Sequence, residues 1–382
     1  MKRMELRMRK KLQIAFVGLE GEAVFTAAFA LLANELAPRL ARKGHGVTVY
    51  RQTPPQPGEG RVATAGSVEL RIPGSATTLS ESMILNLFCA ARAALSSCDV
   101  LLTVHSGAGW VQFLSKWFGH KAILQVAGMD WLHPQWNGLE RSCLRVAARR
   151  GCRSADHVVS DSLTAKAFYS QRFGVSSSVI GYGAEPFFSR DPALLVRNGL
   201  VHRGFYLCMA CLLTAERRQL LAQAFTQLES PRLLVLLDSS GPGSSQMREA
   251  RFLAEQLGGR VRIIRTEADA PLWRELFVHS FAYLHVETPG RPHPVILTAL
   301  AGGACILAED SPFSREVLAE GAYGLLWPSS SKALLAAIRR MERSPELAEQ
   351  FRQVAQRRIA ERYSWEQVAD AYEALLLRVC GD

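Results

Sequence analysis

The 382-residue sequence predicts an α/β protein built from two doubly wound, Rossmann-like domains facing each other across a cleft. Three observations predict it. Short buried-strand runs alternate with amphipathic helical stretches along nearly the whole chain. The alternation comes in two series, separated by Glu185–Arg203, a segment with Pro186 and Pro192 and no clear periodicity. With 48% hydrophobic residues the chain has material for two ordinary cores, and it has no run of 18 uncharged apolar residues to span a bilayer.

In the first series, Lys11–Gly18 reads as a buried strand after a basic start, and Ala23–Lys43 as a helix with Leu32, Leu36 and Leu40 on one face. Gly44-His45-Gly46 turns the chain into a strand at Val47–Tyr50, and strand–helix–strand implies a right-handed parallel unit. A strand at Val68–Ile72, a helix at Ser80–Ser96 and a strand at Val100–Val104 follow, the last ending at His105-Ser106-Gly107. Then come a helix at Trp110–Trp117, a strand at Ala122–Val126, the loop Gly128–Trp131 and a helix over Asn137–Arg153. Val158–Ser162 is a strand running into a helix that Ser162 or Asp161 caps, and Ser178–Tyr182 is the last strand.

The second series has strands at Phe205–Cys211, Leu233–Leu237, Val261–Arg265, Phe281–Val286 and Ala304–Ala308. Its helices lie at Glu216–Leu228, Ser245–Leu257 and Leu272–His279, and one opens near Pro294 and stops at Gly302-Gly303. Val317–Ala319 and Gly324–Trp327 precede closing helices at Ser331–Met341, Pro345–Glu361 and Trp365–Val379. The domains are therefore 11–184, a linker over 185–203, 204–362, and a C-terminal helical segment at 363–382.

Charge and cysteines bound the function. A net charge of +10 and a pI near 9.4 point to anionic partners: phosphorylated ligands, an acidic membrane face or nucleic acid. The aromatic-interleaved basic motifs of RNA-binding modules are absent, which speaks against nucleic acid. Arg141, Arg145, Arg149, Arg150 and Arg153 fall in one helical stretch, which is either a patch for acidic lipid heads or a solvated helix face. The basic N-terminus lacks the apolar core of a secretory signal, so the expected location is the cytoplasm, with peripheral contact at the inner membrane face as a further option. The eight cysteines are scattered, and the one C-x-x-C, Cys208 to Cys211, lies in an apolar run and reads as buried thiols. No metal site is expected.

His285–Glu316 carries the clearest chemical signal. A strand ends in the Pro/Gly-rich loop around Gly290, and a helix N-terminus follows. Free N–H groups and the helix dipole converge on anions at such a place. An α/β turn of this kind also occurs with no ligand.

The order of elements, together with Glu35–Tyr50, Gly128–Trp131 with Trp136, Ala155–Ser162, Ile180–Glu185, Ser311–Leu318 and Tyr363–Tyr372, resembles family 4 glycosyltransferases, in particular the bacterial rhamnosyltransferase-like group. The resemblance implies the GT-B fold, with a nucleotide-diphosphate-sugar donor on the C-terminal domain and a glycan or lipid-linked acceptor mainly on the N-terminal one. No cofactor is implied. It also implies retention, in which an oxocarbenium-like sugar forms as the diphosphate leaves and fixed positive charge stabilises the departing phosphates.

The chain departs from that pattern at three places. Ala27-Ala28 stands where relatives carry a glycine pair, Cys211 where they carry an arginine, and Thr298 where they carry the ribose-binding carboxylate. Arg217, Arg218 and Arg291 are candidate replacement cations, and Glu287 a candidate replacement carboxylate. His105 resembles the acceptor-side histidine or caps a loop. Asp130 resembles an acid that orients or deprotonates the acceptor, or forms a turn. Glu316 resembles a residue that touches donor sugar or phosphate, or pairs with Arg315 or another neighbour. Trp131 and Trp136 stack on a sugar or pack in the core. Two readings follow: a glycosyltransferase of surface polysaccharide assembly, and a catalytically inactive relative that serves as a partner or scaffold subunit.

Overall fold

The structure is a computed structural model that describes residues 11–19, 27–53, 61–64, 66–73, 79–132, 136–238, 245–266, 271–288 and 293–381. It divides into two compact units, Met1–Gly181 with Glu366–Asp382, and Tyr182–Trp365.

The first unit holds strands β1 (Gln13–Leu19), β2 (Gly46–Thr53), β3 (Arg61–Thr64), β4 (Ser67–Pro73), β5 (Val100–Val104), β6 (Lys121–Val126), β7 (His157–Ser160) and β8 (Ser178–Val179). They form one sheet in the order β3-β4-β2-β1-β5-β6-β7-β8, parallel except for the β3–β4 hairpin. The hairpin adds a strand beyond the expected ones, because Arg-Val-Ala-Thr carries no hydrophobic run; Gly66, at φ +88°, supplies the left-handed conformation its tight turn needs. Helices α1 (Ala27–Arg42), α2 (Leu79–Ala94), α3 (Gln112–Trp117), α4 (Gly138–Ser154) and α5 (Leu163–Phe173) connect the strands. Ile14, Phe16, Val100, Leu102, Ile123 and Leu124 are buried as the sheet interior, as expected of parallel strands covered on both faces.

Asn137 starts α4 with a capping box, its side chain accepting from Leu139 and Glu140 N–H while the Glu140 carboxylate accepts from Asn137 N–H at 2.9 Å. In its last turn, α4 lies directly on the 3-10 turn Ser106–Val111 that follows β5: a Cβ on Gly151 would stand 2.5 Å from the Gly109 Cα. Only glycine permits that approach, and it fixes the turn that starts just after His105.

The second unit contains α6 (Ala193–Arg197), β9 (Phe205–Met209), α7 (Ala215–Thr226), β10 (Leu233–Asp238), α8 (Ser245–Leu257), β11 (Val261–Arg265), α9 (Pro271–His279) and β12 (Ala282–His285). It continues with α10 (Val295–Ala301), β13 (Ile306–Glu309), α11 (Pro312–Val317), β14 (Leu325–Trp327), α12 (Ser331–Arg343) and α13 (Pro345–Arg358). Its sheet order is β11-β10-β9-β12-β13-β14, parallel throughout. The direction of strand addition reverses between β9 and β12, so the loops after those two strands flank a crevice at their carboxyl ends, the usual ligand position in such sheets. The segment 185–203 is packed into this unit and contains the short α6.

Residues of α14 (Trp365–Gly381) from Glu366 onward belong to the first unit. Arg39 of α1 binds Glu366 at 3.0 Å, Lys43 binds Glu373 at 3.0 Å and pairs with Asp370, and the buried Tyr372 hydroxyl donates to Gln125.

Candidate active site

In the second unit, the elements after β9, β12 and β13 are joined by one buried polar network. The register sets Leu284 beside Cys208 and His285 beside Ala308, which brings Glu309, the end of β13, next to the backbone of Glu287. The Glu309 carboxylate accepts from the Glu287 N–H at 2.8 Å and pairs with the Arg217 guanidinium at 2.8 Å. Arg217, in the first turn of α7, also donates its Nε hydrogen to the Glu287 carbonyl at 2.9 Å. The Glu287 carboxylate in turn accepts from the hydroxyls of Ser311 and Ser314, each at 2.8 Å, and lies 3.7 Å from His285 Nε2. Ser311 caps α11, with Pro312 at the first helical position.

Three candidates are therefore placed differently from their sequence-based roles. Arg217 is buried and bound to Glu309 rather than presented to a diphosphate. Arg218 turns to α8, pairing with Glu249 at 2.8 Å with its guanidinium 5.9 Å from the Phe252 ring. Glu287 spends its carboxylate on the hydroxyls of Ser311, the cap of α11, and Ser314 instead of on ribose hydroxyls. For the two buried residues, Arg217 and Glu287, the physical reason is the same. A charge near a buried sheet end is stable only when paired and hydrogen-bonded, and the strand order supplies partners distant in sequence.

Burial pushes the Glu287 carboxyl up, but the nearby His285 imidazole and the hydrogen bonds from Ser311 and Ser314 outweigh it and hold the group below the usual carboxylate range. A depressed pKa contributes stability that is complete above the unfolded value and is lost as pH falls through the folded one. Acidification below about pH 4.5 is therefore expected to loosen the second unit. Glu287→Gln should flatten that part of a melting-temperature profile against pH. An unchanged acid limb in the variant would remove Glu287 from the account.

At the β9–β12 crevice, Cys211 sits in the 3-10 turn Ala210–Leu212, and its Sγ lies 4.0 Å from His293 Nε2. His293 Nδ1 accepts from the Val295 N–H at 3.3 Å as α10 begins. The position that replaces an arginine in the resemblance thus faces an imidazole. Sequence reasoning passed over this residue, although it stands at the end of the Gly290–His293 loop. Thr298 is half-buried one turn into α10. Gly290 and Arg291 lie outside the described residues, and so do the side chains of Ala27, Ala28 and Asp130.

Glu316, half-buried in α11, accepts at its carbonyl from Arg358 at 2.8 Å. Its neighbour Arg315 pairs with Asp310 and Glu320 instead. In the first unit, His105 is 8% exposed at the end of β5, its ring so close to Gly107 that a Cβ there would stand 2.5 Å from Cε1. Trp131 is 2% exposed, with ring centroids of Phe168, Tyr169 and Phe173 within 5.9 to 6.4 Å. This corrects the sugar-stacking reading for Trp131: an indole enclosed by three rings has no face to offer. Trp136 is half-buried against the same cluster.

Residues 30–183 match the family model described as a glycosyl transferase 4-like domain, and residues 256–374 the one described as glycosyl transferase-like. Sucrose-phosphate synthase from Thermosynechococcus elongatus has the same fold, with a TM-score of 0.82 at 16% identity over 97% of this chain and 100% of that one. HepE from Anabaena, in complex with UDP and glucose, gives a TM-score of 0.74 at 17% identity over 96% and 100%. A trehalose-phosphate synthase (UDP-forming) from Burkholderia vietnamiensis gives 0.71 at 11% over 97% and 100%. No curated protein sequence matches the chain significantly. The class is therefore clear: a GT-B fold made of two Rossmann-like domains. Within that class the chain is of the glycosyltransferase type, on the two family matches. No helix among the described residues is long and apolar enough to cross a membrane.

Proposed function

We propose that this chain transfers a sugar from a nucleotide-diphosphate-sugar to a glycan or lipid-linked acceptor in surface polysaccharide assembly. On this reading it is a retaining hexosyltransferase of the rhamnosyltransferase-like group, working in the cytoplasm beside the membrane without cofactor or metal. The observation that carries the reading is the β9–β12 crevice, where His293, just before α10, stands beside Cys211. Solved GT-B neighbours were obtained with UDP and with UDP-glucose.

A departing diphosphate requires cations. Arg291 takes that role, with His293, whose Nδ1 accepts from Val295 N–H, offering its Nε2 hydrogen, and Thr298 a hydroxyl to the ribose. Glu316 addresses the donor sugar, while Asp130 and His105 serve the acceptor hydroxyl and Trp136 its ring. The buried network of Arg217, Glu309 and Glu287 is the frame that holds these loops.

One observation favours a second reading, an inactive relative acting as a scaffold. Arg217, Arg218 and Glu287 all spend their charge on internal partners. Calorimetry with uridine, thymidine and guanosine diphosphates and their sugars decides between the two. Binding of one of them, with donor cleavage reduced about 10²–10³-fold in Arg291→Ala, is expected of the enzyme. No heat from any of them would leave the scaffold.

A further inference from the structure

We infer that the α2–α3–α4 face of the first unit is a docking surface for an anionic lipid bilayer. This deepens the membrane location proposed above, yet it stands on observations separate from sugar transfer. The connections β4-α2-β5, β5-α3-β6 and β6-α4-β7 all cross the sheet in one direction, so right-handedness puts the three helices on one face. There α2 packs beside α3, and α3 beside α4.

This face exposes large apolar side chains. Ile84 and Phe88 are 66% and 57% exposed one turn apart on α2, and Phe113 and Trp117 are 44% and 81% exposed one turn apart on α3. Phe118 follows at 48%. Aromatics in such a display suit the headgroup level of a membrane, with one side apolar and the rim wet.

Beside them, Arg141, Arg145, Arg149 and Arg153 recur every fourth residue along α4, and all four are exposed. Among the described residues none of the four makes an ion pair. Glu140 is engaged in its capping box, Asp99 by Gln13 N–H and Asp156 by Ala122 N–H, and Glu81 at the start of α2 is the one exposed acid on that helix. Lys116 and Arg92 add exposed positive charge between the apolar side chains.

An apolar display flanked by unneutralised arginines complements acidic headgroups over an acyl layer. A second copy of the chain fits poorly, since a two-fold contact through this face would oppose arginine with arginine.

The test is flotation of the full chain with vesicles of phosphatidylcholine alone and of phosphatidylcholine with phosphatidylglycerol. Binding is expected only to the anionic vesicles and should weaken at about 0.5 M salt. Arg145→Gln with Arg149→Gln should lower vesicle affinity about 30-fold. Trp117→Ser should lower it about tenfold, because it removes the most exposed ring. All three side chains are exposed, so the thermal melt and nucleotide binding of the variants should match the parent protein. Failure to float with anionic vesicles, equal binding to neutral ones, or variants that float like the parent would overturn the assignment. A dimer that Trp117→Ser dissociates would overturn it too, by giving the face to a second copy. Nucleotide binding is read independently, so failure of the sugar-transfer reading would show up without moving the vesicle result.

Discussion

Arg217→Ala is expected to destabilise the second unit by about 3–5 kcal/mol, because it strands the Glu309 carboxylate in a buried site. Arg217 and Glu309 are 6% and 2% exposed, so solvent cannot take over the lost partner. The same substitution frees the Glu287 carbonyl, which adds an unsatisfied acceptor. Replacing both charges, Arg217→Met with Glu309→Leu, should recover only part of the loss, since it removes the stranded charge but leaves the Glu287 N–H and carbonyl without their partners. Chemical denaturation of the two single variants and the double variant measures the coupling directly. A frame role predicts that Arg217→Ala weakens stability far more than nucleotide affinity. A normally stable Arg217→Ala protein with nucleotide affinity lowered a hundredfold would return this arginine to the diphosphate.

How far the sequence discloses the molecule depends on the distance between partners. Strands such as Val100–Val104 and Leu233–Leu237 announce themselves, because a parallel strand covered on both faces must be apolar at every position. Their alternation with helices, joined to the right-handed crossover rule, implies two doubly wound parallel sheets, while the order of the strands comes from the structure. Short elements whose signal is turn chemistry were harder to see. β3 depends on the Gly66 turn, and α11 on Ser311 as cap and Pro312 after it, a pattern local to the chain.

The site is a different matter. Nothing in the neighbourhood of Arg217 says that its partner will be Glu309, and nothing near Cys211 points to His293. Those pairs arise because β9, β12 and β13 become neighbours in the folded sheet, so they are consequences of topology and register. A list of charged residues around a loop therefore overstates how many are available to a ligand. The surplus is consumed in holding the loop ends together.

The tryptophan loop gives the sharpest case, and Trp131→Ala should destabilise the first unit by about 3–5 kcal/mol. Its indole fills the centre of a buried aromatic group with Phe168, Tyr169 and Phe173, and the loop carries it there directly after β6. Removal leaves a cavity whose walls come from α5, so the loss should appear as early melting of that helix in hydrogen exchange. Trp131→Phe keeps most of the volume and should recover most of the stability. Trp136→Ala, at a half-buried position on the edge of the same group, should cost less. The stacking role rejected above makes the opposite forecast: a stable Trp131→Phe protein whose acceptor KM rises steeply while Trp136→Ala leaves it unchanged. Enclosure by three rings leaves Trp131 no route to an acceptor, so its effect on catalysis should pass entirely through the stability of the unit that carries it.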